Sequence, residues 1–347
     1  LHTEGRDHVI RLVRGTAAIA STLAVVTALA ACGSGGSSEE KLTVYSAQHE
    51  SLVRAMVTGF TEETGIKLEF RDANDSELAN QIVQEGDASP ADVFLTENSP
   101  SIDVVDRKKL LAPLDQATLD QVGEQYRPSS GNWVGFAARS TVLDYNPSLV
   151  PEAELPASIL DLARPEYQGR IGIASGGADF QAIVSAVLAL KGEEATREWL
   201  TGLKKNAGIY ASNTAVMKAV DQGEIEMGVM YHYYWYRDRA EHGQNGDDTE
   251  LHYFGNQDPG AFISVSGAGV LASSDQPEAA QRLVAFLASP EAQRRLADSS
   301  ALEYAVGTRV ASADVLPPLE GLNAPVVDPG SLNAPQVTQL MQEVGLL

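Results

Sequence analysis

Cysteine is nearly missing from this sequence: Cys32 is the one example in 347 residues. A lone cysteine closes no internal disulfide, and without a CxxC pair there is no zinc-knuckle or dithiol chemistry to read. Basic residues are also scarce, 25 against 47 acidic, for a formal net charge of -22. Such a chain is repelled by phosphate backbones, which argues against nucleic acid as a partner. An acidic field does concentrate cations, although diffuse charge serves solubility equally well. Enzyme signatures are absent: no GxSxG elbow, Walker A run, HExxH pair or GxGxxG after a strand. Beyond residue 31 the histidines are His49, His232, His242 and His252. Glycine, proline and the 44% hydrophobic share are ordinary for a globular protein, and the length suits two domains.

The amino end reads as an address. Arg6, Arg11 and Arg14 precede an uncharged, small and apolar run from Thr16 to Ala31. That run is shorter than the roughly 20 residues a bilayer-spanning helix needs and has the makeup of a secretory signal peptide, residues 1–31. It ends in Leu29-Ala30-Ala31-Cys32, which resembles a bacterial lipobox and implies cleavage before a diacylated Cys32. Residues 32–40, mostly Gly and Ser, form a flexible tether. The expected location is the outer face of the cell membrane, held by the lipid alone. No later stretch is long and apolar enough to span a membrane, so the remaining body is expected to be soluble.

Strand and helix periodicities alternate through that body. Lys41–Ser46, Lys67–Phe70 and Ala91–Leu95 read as strands, separated by a helix ending at Gly65 and another opened by Ser76. A second block repeats the pattern. Arg170–Ala174, Glu226–Met230 and Phe262–Leu271 read as strands. Phe180–Leu190, Glu194–Lys204, a stretch after Asn213, Pro277–Leu287 and Pro290–Leu296 read as helices. The expectation is an α/β fold with largely parallel sheets, in two lobes. Lobe 1 is residues 41–140 completed by 262–300, and lobe 2 is 141–261 with the segment 301–347 packed on it. Such lobes bind ligands in the crevice between them, beyond the carboxyl ends of strands.

Aromatics are 6% of the chain, yet five fall within the six positions Tyr231–Tyr236. The run follows a strand and opens a helix. Successive helical residues point about 100° apart, so Tyr233 and Tyr234 cannot both face the core. At a helix amino end their phenolic oxygens can converge on one point. A free phenol has a pKa near 10, and a hard cation such as Fe³⁺ is what ionises a pair of them at neutral pH. An aromatic platform stacking on an organic ligand is the competing reading.

These residues resemble the bacterial periplasmic ferric-iron-binding proteins. The Tyr233-Tyr234-Trp235 run is similar to the one that supplies two phenolate ligands there. Val44-Tyr45-Ser46-Ala47-Gln48-His49 is similar to the strand end that carries a histidine ligand. Asp92-Val93-Phe94-Leu95-Thr96-Glu97-Asn98 is similar to the stretch that carries a glutamate ligand. Trp133-Val134-Gly135 with Arg139, Pro165-Glu166-Tyr167, Asp258–Ala261 and Glu303-Tyr304 extend the likeness along the chain. The resemblance implies a two-lobed, class II, transferrin-like periplasmic-binding-protein fold with the ligand cleft between lobes. It implies a metal set of His49, Glu97, Tyr233 and Tyr234. It also implies a synergistic anion, carbonate or phosphate, held by Ser175, Gly176, Gly177 and Ala178 with Asn98 and Asn213. Two departures stand out: Gly176 sits where a serine is usual, with Ser175 one place earlier, and Tyr231-His232 replaces an Asn pair, so either could add to the metal's surroundings.

The implied function is a monomeric solute-binding lipoprotein that delivers Fe³⁺ to an ABC permease and its ATPase, by capture and not catalysis. Rival readings are the same fold binding a polyamine, thiamine or phosphonate, an extracytoplasmic metal-dependent hydrolase built on Glu97 and His49, and a sensory or adhesive lipoprotein with no small ligand.

Overall fold

The computed structural model describes residues 40–241 and 243–347. The expected signal peptide, Cys32, the tether up to residue 39, and His242 lie outside the described residues. No helix among the described residues is long and apolar enough to cross a membrane.

Among the described residues nine strands form the framework: β1 (Lys41–Ser46), β2 (Lys67–Asp72), β3 (Val93–Leu95), β4 (Trp133–Tyr145), β5 (Ile171–Ile173), β6 (Ala207–Ile209), β7 (Met227–Tyr231), β8 (Glu250–His252) and β9 (Ile263–Val270). Their order is β2-β1-β3-β9-β4-β7-β5-β6, with β8 also on β4. At one end β2, β1 and β3 are parallel; at the other, β7, β5 and β6 are parallel. The expectation of largely parallel sheets is corrected in the middle. β9 runs antiparallel to β3 and β4, and β4 runs antiparallel to β7 and β8. The strand–helix–strand units impose parallel pairing because each crossover returns the chain to the same end. β4 and β9 are reversed because they carry the chain from one half to the other and back.

β4 belongs to both halves. Trp133–Ser140 pair with β9, and Thr141–Tyr145 pair with β7. All thirteen of its residues are buried, so its sequence shows no alternation and gives no strand signal. Each half has its own apolar core. One gathers Leu42, Val53, Phe60, Val134, Leu283 and Leu287; the other gathers Leu143, Ile173, Ile183, Leu200, Val229 and Leu340. The segment 301–347 does not pack wholly on the second half as expected. Tyr304, Val306, Leu316 and Leu322 enter the first core, and Leu332, Val337, Leu340 and Met341 enter the second. Its apolar residues fall in two groups separated by a Pro- and Asp-containing stretch, and each group fills the core it reaches.

Four helices place the site. Glu50–Thr64 starts directly after His49 and stops at Gly65, whose φ of 71° only glycine adopts without strain. Asp75–Glu85 begins one residue before the expected Ser76, because Asn74 caps it by accepting from the Glu77 N–H. Ala178–Asn206 leaves helical geometry at Gly192 (φ 80°, ψ 173°), which divides it into the two helices that the sequence suggests. His232–Ala240 follows β7 at once and carries the aromatic run.

Candidate functional site

His49 sits where β1 gives way to its helix. Gln48 fixes the ring: its Oε1 accepts the His49 backbone N–H at 2.7 Å and lies 3.0 Å from Nδ1. An amide oxygen has no proton to donate, so Nδ1 carries the proton and Nε2 keeps a free lone pair. Gln48 is held in turn by Ser266 Oγ at 2.7 Å. Burial, foremost, lowers the His49 pKa below its ordinary value, so the ring is neutral and able to ligate.

Glu97 follows β3. It does not cap the next helix, Ser99–Arg107, whose cap residue is Asn98. Its loop is fixed from below by Asp75, which accepts the backbone N–H groups of Glu97 (2.9 Å) and Asn98 (3.1 Å). Asp75 is buried, and burial pushes its pKa up to about 7. Glu97 Oε1 lies 3.9 Å from His49 Nδ1 and accepts from the Tyr233 hydroxyl at 3.2 Å.

The tyrosines come from the other half of the molecule. Tyr233 is fully buried and Tyr234 half-buried, as the angular argument requires. Their rings stack 4.2 Å apart, and His49 meets Tyr233 edge-on at 5.5 Å. Tyr234 donates to Asp179 Oδ2 at 3.0 Å. Thus all four metal-ligating residues expected from the resemblance lie in one contact network. His232 does not join it: the ring is fully buried, accepts the Ser140 backbone N–H at 3.1 Å, stacks on Tyr304 and is driven to a pKa of about 3 by burial. Tyr231 stands behind the site, its hydroxyl 3.3 Å from Asn98 Oδ1.

Beneath these groups Arg139, on β4, is completely buried against Glu303 (2.6 Å), Ser266 Oγ (2.7 Å) and the Glu97 carbonyl. Glu303 Oε1 in turn lies 3.9 Å from His49 Nδ1. Removing either member of such a buried pair typically costs about 3–5 kcal/mol, because the other is left charged and unpaired.

The six residues expected to hold an anion separate into two sets. Asn98 and Asn213 face the site, but both amides bond the Asp179 carboxylate, at 3.0 and 2.9 Å. Ser175 turns away and donates to the Leu346 carbonyl at 2.8 Å, and the Gly177 N–H closes a turn on Ala174 O at 2.9 Å. Gly176 and Ala178 complete that turn and the start of the helix. Sequence reasoning missed Asp75, Asp179 and Gln48. Asp179 lies one residue past the stretch singled out, and an acid in a first helical turn ordinarily reads as a dipole partner. The distant pairing of Asp75 with the Glu97 loop leaves no local trace.

Electrostatically the network is short of positive charge. Asp75, Glu97, Asp179 and Glu303 share it with the buried guanidinium of Arg139. Burial and then the Asp179 charge raise the Glu97, Tyr233 and Tyr234 pKa values above their ordinary ranges. A multivalent cation among them would reverse that balance and favour the ionised oxygens. Two oxygen pairs, Tyr233 OH with Glu97 Oε1 at 3.2 Å and Tyr234 OH with Asp179 Oδ2 at 3.0 Å, are spaced like cis ligands of an octahedral ion, which with bonds of about 2.1 Å lie about 3 Å apart. Among the described residues no three His, Cys, Asp or Glu side chains group as a metal site; a cation held here would draw on the phenols as well.

Comparison with known proteins identifies the family. The sequence profile of the bacterial extracellular solute-binding protein family matches residues 88–328. The chain is 54% identical to an Fe(3+)-binding periplasmic protein of Serratia marcescens over 90% of this chain and 92% of that one. It is 37% identical to a major ferric iron-binding protein of Neisseria meningitidis over 88% and 93%. Among solved structures it is similar to iron-bound HitA from Pseudomonas aeruginosa, with TM-score 0.82 and 40% identity over 88% of this chain and 99% of that one. With a two-lobed α/β framework, a site assembled from both halves and likeness along nearly the whole body, the chain belongs to the bacterial extracellular solute-binding protein family.

Proposed function

We propose that this protein captures one ferric ion between its halves and hands it to an ABC permease. The observation that carries this reading is the convergence of two stacked phenols, Tyr233 and Tyr234, with Glu97 and a tautomer-fixed His49 from the opposite half. Hard anionic oxygens with one imidazole suit Fe³⁺. A neutral or cationic organic solute would call for an open aromatic face, whereas here the two tyrosine rings cover each other. The Serratia and Neisseria relatives are named for ferric iron and the Pseudomonas one is iron-bound, which supports the same cargo here. The role is capture: His49 offers Nε2, Glu97 and the two phenolates offer oxygen, and water with a small anion fills what is left. Attachment through a lipid on Cys32, a monomeric state and an outer-face location complete the proposal.

The test is a visible absorption spectrum with ferric citrate added and then stripped by a chelator. A broad phenolate-to-iron charge-transfer band is expected, and Tyr233→Phe or Tyr234→Phe should remove or strongly shift it. No band at neutral pH, with phosphate or carbonate present, would sink the ferric assignment.

A further inference from the structure

On the face of the sheet turned away from the candidate site lies a cavity of about 1090 Å³, room enough for a small organic ligand. Strand β9 separates the two. Its Ser264 and Ser266 point to the candidate site, where their hydroxyls donate to Asn98 Oδ1 at 2.8 Å and to the Glu97 carbonyl at 3.1 Å. Ile263 points the other way, as alternation along a strand requires, and lines the cavity. Both halves wall it: Leu114, Leu119 and Leu319 go with the first core, Phe262 and Val327 with the second. The remaining wall is a strap, residues 323–329, between Leu322 in the first core and Leu332 in the second. The strap is pinned at both ends. The Asn323 carbonyl accepts from the Gln257 N–H at 2.8 Å, and Arg107 donates to the Gly330 and Leu332 carbonyls at 3.2 and 3.0 Å. Val326 lines the cavity yet is 83% exposed, which puts it at the mouth.

The polar part of the lining selects the sign of a guest. Among the described residues it carries three carboxylates, Glu124, Glu320 and Asp328, against one guanidinium, that of Arg127. Arg127 is already matched by Asp120 at 3.0 Å, so the carboxylates of the lining outweigh it. Tyr126 adds an aromatic face. Burial, foremost, raises its pKa, and the Glu320 charge adds to the rise, so a neutral phenol stands near that carboxylate. An anion would be repelled here, and a neutral apolar guest would leave the carboxylates uncompensated. A cation with an apolar body suits both parts, since ammonium groups are drawn to ring faces as well as to carboxylates.

We propose that this cavity is a second binding site, for a small organic ammonium ion whose charge meets the acidic rim and whose apolar body lies against the walls from both halves. The site is independent of the ferric reading, which concerns the opposite face of β9.

The probe is benzyltrimethylammonium, with benzyl alcohol as the neutral control and phenylacetate as the anionic one. Each is titrated calorimetrically into chelator-stripped protein and into protein with ferric citrate. Saturable one-to-one binding of the ammonium ion is expected in at least one of these states, with both controls weaker by about tenfold or more. Glu124→Gln combined with Glu320→Gln, shown folded by circular dichroism, should weaken the ammonium ion about tenfold. Glu62→Gln combined with Glu69→Gln removes the same charge from exposed positions outside the cavity and should leave binding unchanged. No saturable binding in either state overturns the proposal. So does equal binding of benzyl alcohol, or a rim variant that binds as wild type does. A remote variant that weakens binding as much as the rim variant also overturns it, because the cation would then be held by the diffuse acidic field.

Discussion

Gln48 decides which nitrogen of His49 can meet a metal, and that role is invisible from residue type alone. The protons of the neighbouring groups decide when it can do so. Glu97 and both phenols have raised pKa values, burial being the largest cause. Each is therefore protonated in metal-free protein at a higher pH than an exposed group would be, and iron must displace those protons. Every proton displaced makes affinity fall about tenfold per unit of acidification. The two phenolic protons alone predict a fall of about a hundredfold between pH 7 and pH 6, read by competition with a chelator and corrected for the chelator's own protonation. A flat profile would mean that the phenols never ionise. His49, with its pKa lowered by burial, adds no competing proton at neutral pH. At this scale the sequence singles out the proposed ligands, since His49, Glu97 and the tyrosines each sit in a distinctive local run. It does not show Asp75, Asp179 or Arg139 acting on them, because those contacts join residues 22 to 55 positions apart.

Among the elements, the helix from Ala178 to Asn206 matters most, since its first turn presents Asp179 and its second portion is anchored by Trp199 and Leu203 in the core. Gly192 divides the two with φ 80° and ψ 173°, a region open only to glycine. No atom crowds its missing Cβ, so Gly192→Ala tests backbone strain alone. The expected loss is about 1–3 kcal/mol in urea unfolding, with iron binding intact in the folded fraction; a neutral result would show that the two portions can realign freely. Both helical portions and the strands at each end of the sheet are legible from periodicity. β4 is not, because burial on both faces erases alternation, and with β4 hidden the reversed centre of the sheet is hidden too.

For the whole molecule, two strands, β4 and β9, carry the sheet from one half to the other, and the proposed ligands stand on both sides of that crossing. Four carboxyl groups and one guanidinium meet there. Without a cation their repulsion favours separation of the halves; with one, all the oxygens gain by closing on it. Small-angle scattering should therefore give a smaller radius of gyration for iron-loaded than for chelator-stripped protein. Glu97→Gln combined with Tyr233→Phe should abolish the difference. Equal radii for wild type in both states would mean that capture occurs in a preformed closed site. The two-lobed plan is legible in the sequence because each half repeats the strand–helix rhythm. The division of residues 301–347 between both cores is not, since it depends on which apolar surface each segment reaches.

The bond from Ser175 to the Leu346 carbonyl ties the far end of the described chain to the turn that launches Asp179. Leu346 is itself packed into the second core. A mechanical pull or a bulky fusion applied beyond it is thus transmitted toward the candidate site through that hydroxyl and the packing of Leu346. That makes this end a poor place for a purification handle and a natural attachment point for a reporter dye in an iron sensor.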